Sequence, residues 1–142
     1  MIANLPNAEN LFGKLERKIA PHVSEETGII GIHTGGVWLA SRLHHAFGIK
    51  VPLGVIDVSF YRDDYAQRGL KSKVYPSSIN FEVENRDIIL VDDVLHSGRT
   101  VRAAINEIFD HGRPKKIMLG KTLYLLQLKS QLFLITCQKN LI

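Results

Sequence analysis

The segment from Ile88 to Thr100 constrains the fold most, because a short apolar run passes there directly into acidic and then small polar residues. Residues 88–91 read Ile-Ile-Leu-Val, an unbroken run that is typical of a strand buried on both faces of a parallel sheet. Asp92 and Asp93 end this run, and residues 101–111 then show the apolar spacing of a helix face. A strand, a loop and a helix in this order favour an α/β fold whose ligands bind beyond the carboxyl ends of the strands.

The rest of the chain repeats this alternation of patterns. The spacing of apolar residues predicts helices over residues 10–22 and 37–47, strands over 28–33 and 51–60, and a further strand beginning at 117–119. Within the run 51–60 the alternation changes phase, so we expect an irregularity at residues 54–56. We therefore predict an α/β protein with a central parallel sheet flanked by helices.

Length and composition limit the alternatives. A chain of 142 residues has room for one domain, and 45% hydrophobic with 23% charged residues excludes a wholly disordered or fibrous protein. The single cysteine, Cys137, excludes an internal disulfide and a thiolate zinc site. Neither a secretory signal pattern nor an apolar run of membrane-spanning length is present in the sequence, so we expect a cytoplasmic protein.

The net charge of +4 is unevenly distributed along the sequence. Residues 1–114 contain 13 of the 18 Lys and Arg residues and all 14 acidic residues, whereas residues 115–142 contain five Lys and no acid. The body of the protein is therefore close to neutral. The positive net charge is a property of the last 28 residues, and it argues only weakly for a nucleic-acid partner.

The loop after the strongest strand has the chemistry of a sugar phosphate site. Backbone N–H groups over residues 97–100, the hydroxyls of Ser97 and Thr100 and the start of a helix suit a phosphate, and Gly98 permits a close backbone approach. Asp92 and Asp93 accept hydrogen bonds when ionised, so they suit ribose hydroxyls or the waters around Mg²⁺. Receiver domains also carry acids after a strand, but the flanking Ser-Gly-Arg-Thr disfavours that alternative.

Three segments resemble a known family. Residues 88–100 resemble the phosphoribosyl pyrophosphate (PRPP) signature of type I phosphoribosyltransferases. Residues 31–40 and 57–64 resemble blocks of the pyrimidine operon regulator / uracil phosphoribosyltransferase (PyrR) family, and the likeness extends from the first helix to about Leu119. Residues 1–119 are therefore expected to form a phosphoribosyltransferase-like domain, with a small flexible hood over residues 61–82.

The resemblance implies a function and a set of site residues. It implies transfer of ribose 5-phosphate from PRPP to uracil, giving UMP and pyrophosphate, with Mg²⁺ held mainly by PRPP rather than by protein side chains. Asp92, Asp93 and Arg62 would be the catalytic residues, with Arg62 in the hood facing the leaving group. The PRPP-binding residues implied are Thr34, Gly35 and Gly36 in the pyrophosphate loop, Arg62 in the hood, and Asp92, Asp93, Val94, Leu95, His96, Ser97, Gly98, Arg99 and Thr100. The family also implies a homo-oligomer, a dimer or larger.

The sequence departs from the family pattern after Leu119. Residues 120–142 lack the family's usual acidic and basic continuation, so we expect an atypical, shortened tail, and a reading-frame shift in the source sequence is one hypothesis for it. Residues 123–135 are either a substitute strand or an exposed, aggregation-prone tail, and composition favours the second. Two alternatives to the enzyme stay open: a UMP- or UTP-sensing regulator that binds a messenger RNA leader with little catalysis, and a truncated remnant that binds PRPP.

Overall fold

Helices and strands alternate along the residues that the computed structural model describes, which are 8–33, 35–58, 77–92, 98–122 and 130–136. The elements are α1 (Ala8–Ile19), a short 3-10 helix (Ala20–His22), β1 (Gly28–Ile32), α2 (Gly35–Ala46), β2 (Gly54–Ile56), β3 (Asp87–Asp92), α3 (Gly98–His111), β4 (Lys116–Thr122) and β5 (Ser130–Thr136). None of the described helices is both long enough and apolar enough to cross a bilayer.

The strands form one sheet in the order β2-β1-β3-β4-β5. Neighbours from β2 to β4 are parallel, and β5 runs antiparallel to β4, with Met118 opposite Leu134. The expected α/β fold with a central parallel sheet is confirmed. The hood expected over residues 61–82 falls mainly on residues 61–76, which lie outside the described part of the chain. Its last residues belong instead to the body, because Ser78 pairs with Val55 of β2 and the side chains of Ile79 and Phe81 pack on a core of the sheet.

Alternate residues of the central strands supply two separate cores, one on each face of the sheet. Ile88 and Leu90 belong to the core that also contains Val101, Ala104 and Ile108 of α3. Ile89 and Val91 belong to the core on the other face, which contains buried residues of α1 and α2: Phe12, Leu15, Ile19, Leu39, Ala40 and Leu43. Both faces of β3 are therefore covered, which explains why its sequence is an unbroken apolar run.

Gly48 allows the chain to leave α2 just after the helix ends. Gly48 has a φ of 59°, a left-handed conformation that lacks a Cβ penalty only for glycine. The N–H of Gly48 donates to the carbonyl of His45 at 3.1 Å, and the N–H of Ile49 donates to that of His44 at 3.2 Å. These bonds satisfy the last carbonyls of the helix and turn the chain toward β2.

The strand within residues 51–60 is shorter in the structure than the sequence pattern predicts. Among the described residues of this run, 51–58, Gly54–Ile56 is the part that pairs with β1. The expectation of an irregularity at residues 54–56 is therefore wrong, because these residues form a regular ladder. The apolar residues Val51 and Leu53 alternate with others in the sequence because both pack against the core that contains α1 and α2, although neither joins the ladder with β1. His44 Nε2 lies 2.7 Å from the carbonyl of Val51. Residues 59 and 60 lie outside the described part.

The C-terminal segment forms a strand where an exposed tail was favoured. Residues 130–136 pair with β4 along seven positions, from Lys116 opposite Thr136 to Thr122 opposite Ser130. The preference for an exposed tail is therefore wrong for these residues, because β4 offers a free edge with which an uncharged apolar segment can pair. Residues 123–129 and 137–142 lie outside the described part.

Candidate functional site

The topology selects one edge of the sheet for ligand binding. β1 and β3 are parallel neighbours, yet α2 after β1 packs on one face of the sheet and α3 after β3 packs on the other. The helices that follow these two strands therefore lie on opposite faces of the sheet, and open α/β sheets bind their ligands in the crevice at such a point, beyond the carboxyl ends of the strands. Gly35, Gly36 and Asp92 all lie at this edge.

Asp92 is a buried acidic residue at this edge. It is the last residue of β3, is only 4% exposed, and lies in register with Lys121 of β4. An ionised carboxylate can only accept hydrogen bonds, so a ligand placed here must bring donors such as hydroxyls. The position predicted from the sequence for Asp92, at the end of a buried strand, agrees with the structure.

Two helices begin at the same edge. α2 starts at Gly35 and α3 at Gly98, each shortly after the strand that precedes it. Free backbone N–H groups and the positive end of the helix dipole suit an anion at each start. Thr100 lies in the first turn of α3 and is 9% exposed. The structure thus brings two helix starts that suit phosphate groups and the buried carboxylate of Asp92 to the same edge of the sheet.

Several of the predicted site residues lie outside the described part of the chain. The structure places Gly35, Gly36, Asp92, the backbone of Gly98 and Arg99, and Thr100 at the edge just described. The others remain predictions: Thr34, Arg62, Asp93, Val94, Leu95, His96 and Ser97.

The structure adds two polar residues that the sequence did not single out. His33 follows β1, and its N–H donates to the carbonyl of Ile56 at 2.9 Å. Asp57 follows β2, is 8% exposed, and its N–H lies 3.3 Å from Ser77 Oγ. The signal that could have found both is their position, because each directly follows a strand of the parallel sheet.

A polar cavity of about 420 Å³ lies at the opposite edge, before the amino ends of β1, β3 and β4. Arg86 connects the segments around this cavity. Its guanidinium donates to the carbonyls of Glu82 and Glu26 and lies 5.4 Å from the Phe81 ring centroid. The N–H of Lys115 donates to the carbonyl of Arg86 at 2.9 Å. These contacts hold the turns before the strands, so the cavity has a structural explanation. It is lined by Ser24, Glu26, Glu84, Asn85, Arg86, Asp87 and Lys115.

Comparison with known proteins identifies the family. Residues 1–124 match the phosphoribosyl transferase domain family. A Pseudomonas fluorescens protein named bifunctional protein PyrR is 50% identical over 121 residues, which cover 82% of this chain and 71% of that protein. The chain belongs to the PyrR family of phosphoribosyltransferases. The family expected from residues 31–40, 57–64 and 88–100 is thereby confirmed.

Solved structures place the fold of this PyrR family member among phosphoribosyltransferases. The purine phosphoribosyltransferase of Pyrococcus horikoshii superimposes with a TM-score of 0.60 at 28% identity, covering 85% of this chain and 76% of that one. The hypoxanthine-guanine phosphoribosyltransferase of Bacillus anthracis gives a TM-score of 0.63 at 22% identity, covering 89% and 78%. The fold similarity persists at low identity, as expected where the arrangement of sheet and helices is shared.

Proposed function

We propose that the protein is a uracil phosphoribosyltransferase, a pentosyltransferase that converts uracil and PRPP to UMP and pyrophosphate. One observation carries the proposal: in a chain of the PyrR family, the buried carboxylate of Asp92 lies at the crevice where α2 and α3 both begin. PRPP carries two ribose hydroxyls between a 5-phosphate and a pyrophosphate, which matches a buried acceptor and two anion-binding helix starts at one edge of the sheet.

The chemistry requires positioning rather than a covalent nucleophile. A uracil ring nitrogen forms a bond to C1 of the ribose, the bond from C1 to the pyrophosphate oxygen breaks, and the nitrogen loses its proton. Positive charge develops on the ribose ring during the exchange, so the carboxylates of Asp92 and Asp93 favour the transition state. Residues 34–36 bind the departing pyrophosphate. Arg62 and the part of the hood around it close on it and exclude water.

Mg²⁺ is part of this proposal. Carboxylate oxygens are ligands that hard cations and their bound waters accept, so Asp92, followed by Asp93, suits an ion carried mainly by PRPP. When bound, the ion supplies positive charge beside the leaving pyrophosphate. Asp92 and Asp93 contribute by holding the ribose hydroxyls, or waters of the ion, in a fixed orientation.

The direct test is formation of UMP from labelled uracil and PRPP with Mg²⁺. We expect activity in the unsubstituted chain and a loss of about 10²–10³-fold in kcat in an Asp92→Asn, Asp93→Asn variant. Asp110→Asn is the matched control, since Asp110 is an exposed acid near the far end of α3. No UMP from the unsubstituted chain despite PRPP binding would refute the enzyme and leave a PRPP-binding remnant.

The name of the relatives, bifunctional protein PyrR, supports a second role, and the family resemblance implies that this role is RNA binding. In this alternative the protein senses UMP or UTP and binds a messenger RNA leader. A gel shift with a pyrimidine leader RNA at two salt concentrations tests it, because phosphate contacts must weaken as salt rises. The near-neutral body over residues 1–114 favours the enzyme over the RNA-binding regulator.

A cytoplasmic location and a homo-oligomeric state, dimer or larger, are also part of the proposed function.

A further inference from the structure

The first turn of α2 lies directly against the backbone of β3. A Cβ atom added to Gly36 would lie 2.4 Å from the carbonyl oxygen of Val91 and 3.0 Å from the Cα of Asp92. Both are backbone atoms of a central strand, so they cannot rotate away as a side chain would. The contact lies at Asp92 itself, which means that no side chain separates α2 from the acidic end of β3.

Gly31 of β1 makes the same kind of contact from the neighbouring strand. A Cβ atom added to it would lie 2.6 Å from the Cα of Val37 and 2.8 Å from the carbonyl oxygen of Gly36. Gly31 also lies in register with Val91 across the β1–β3 ladder. The two glycines therefore stack the first turn of α2 over both strands at once, with backbone touching backbone.

Lack of space for a side chain explains why Gly31 and Gly36 are glycines. Backbone conformation does not explain it, because neither residue has a positive φ. Ordinary Cβ contacts are 3.4–4 Å long, whereas a methyl group on Gly31 would lie 2.6 Å from its nearest neighbour in α2. Relief of this crowding requires a shift of α2 of about 1 Å, and a misplacement of that size can cost about 10²-fold in rate. Such a shift would separate the start of α2 from Asp92.

We propose that Gly31 is a positioning residue that sets the distance between the pyrophosphate loop and the ribose-binding end of β3. By lacking a side chain it lets α2 seat against β1, which places Gly36 at Asp92. A ligand that bridges both places requires this spacing, whereas a ligand that occupies only one of them does not. The inference rests on the proposed function, since PRPP is the bridging ligand.

The experiment compares two ligands and two variants. PRPP with Mg²⁺ bridges the loop and the strand end, and ribose 5-phosphate lacks the pyrophosphate. We expect Gly31→Ala to weaken PRPP binding by about 10–100-fold in calorimetry and to leave ribose 5-phosphate binding unchanged. Gly28→Ala is the matched control: it lies in the same strand, and its Cβ would meet Phe81 Cε2 at 2.7 Å, but at the opposite edge of the sheet and against a ring that can move. We expect this control to retain both affinities.

Each other result decides the inference. An equal loss of affinity for both ligands in Gly31→Ala would show general damage to the fold and would overturn the inference. Unchanged PRPP affinity would also overturn the inference. If Gly31→Ala does not fold, the Ala40→Ser variant is tested instead, because the Cβ of Ala40 faces Gly31 at the same contact. A selective loss of PRPP affinity in Ala40→Ser supports the inference, and an unchanged ratio of the two affinities overturns it. Failure of the unsubstituted chain to bind PRPP would refute the proposed function, and this inference with it.

Discussion

Burial gives Asp92 a chemical role that its position in the sequence only indicates. At 4% exposure its carboxylate is withdrawn from bulk water, so interactions with a ligand there are stronger than at the surface. The sequence predicts an acid after a strand, and an exposed acid would fit that pattern equally well. The tertiary structure adds the burial, because the first turn of α2 lies directly against the backbone of Asp92.

A glycine just after α2 and a glycine inside α1 should respond to alanine with opposite signs. Gly48→Ala meets nothing within 4 Å, so its cost is conformational, and we expect a loss of about 1–2 kcal/mol in the free energy of unfolding because φ is 59°. Gly13→Ala lies inside α1 at an ordinary 3.5 Å from Arg17 Nη1, so we expect a gain of about 0.5–1 kcal/mol. Urea unfolding measures both. A loss at Gly13 or a gain at Gly48 would contradict this account.

At the scale of elements, Arg42 of α2 links α2 to α1 on their outer surface. Arg42 donates from Nη1 and Nη2 to the two carboxylate oxygens of Glu9, both at 2.9 Å. Its guanidinium also lies 4.0 Å from the centroid of the Phe12 ring and 5.1 Å from that of Trp38. The bidentate and stacked geometry requires a planar guanidinium, so a lysine would not replace it.

The Glu9–Arg42 contact should depend on pH. The hydrogen bond from Arg42 lowers the pKa of Glu9 below 4.5, so the contact contributes fully above pH 4.5 and is lost as the pH falls through the lowered pKa. We expect Glu9→Gln to lower the melting temperature at pH 7, and this difference from the unsubstituted chain to disappear in strong acid. Thermal melts across pH measure it, with Glu25→Gln as an exposed control. A difference that persists in strong acid would show that charge is not the cause.

At the scale of the whole molecule, β5 completes the sheet at the edge beyond β4. The segment contributes seven register positions and no charged residue, although composition favoured an exposed tail. Pairing with β4 covers a row of backbone groups that would otherwise form an open edge. The sheet thus extends beyond the part that matches the family, which ends at residue 124.

Removal of β5 should therefore destabilise the protein. A chain ending at Lys129 loses all seven cross-strand pairs with β4, each contributing about 0.2–1 kcal/mol, and exposes the edge of β4. We expect a lower free energy of unfolding and concentration-dependent aggregation, measured by urea unfolding and light scattering. A chain ending at Cys137 keeps β5 and is the control. Equal stability of the two chains would show that β5 adds nothing to the fold.

The sequence by itself determined the alternation of helix and strand, the strand–loop–helix segment around Asp92 and the family, because these depend on residues close together in the chain. Tertiary structure decided which strands are neighbours, since packing over long distances selects the order β2-β1-β3-β4-β5. It also decided that residues 51–53 pack beside the sheet, that residues 130–136 join it, and that Gly31 and Gly36 bring α2 against Asp92. Apolar periodicity is the same for a strand and for an extended segment on a core, and only the partner across the sheet distinguishes them.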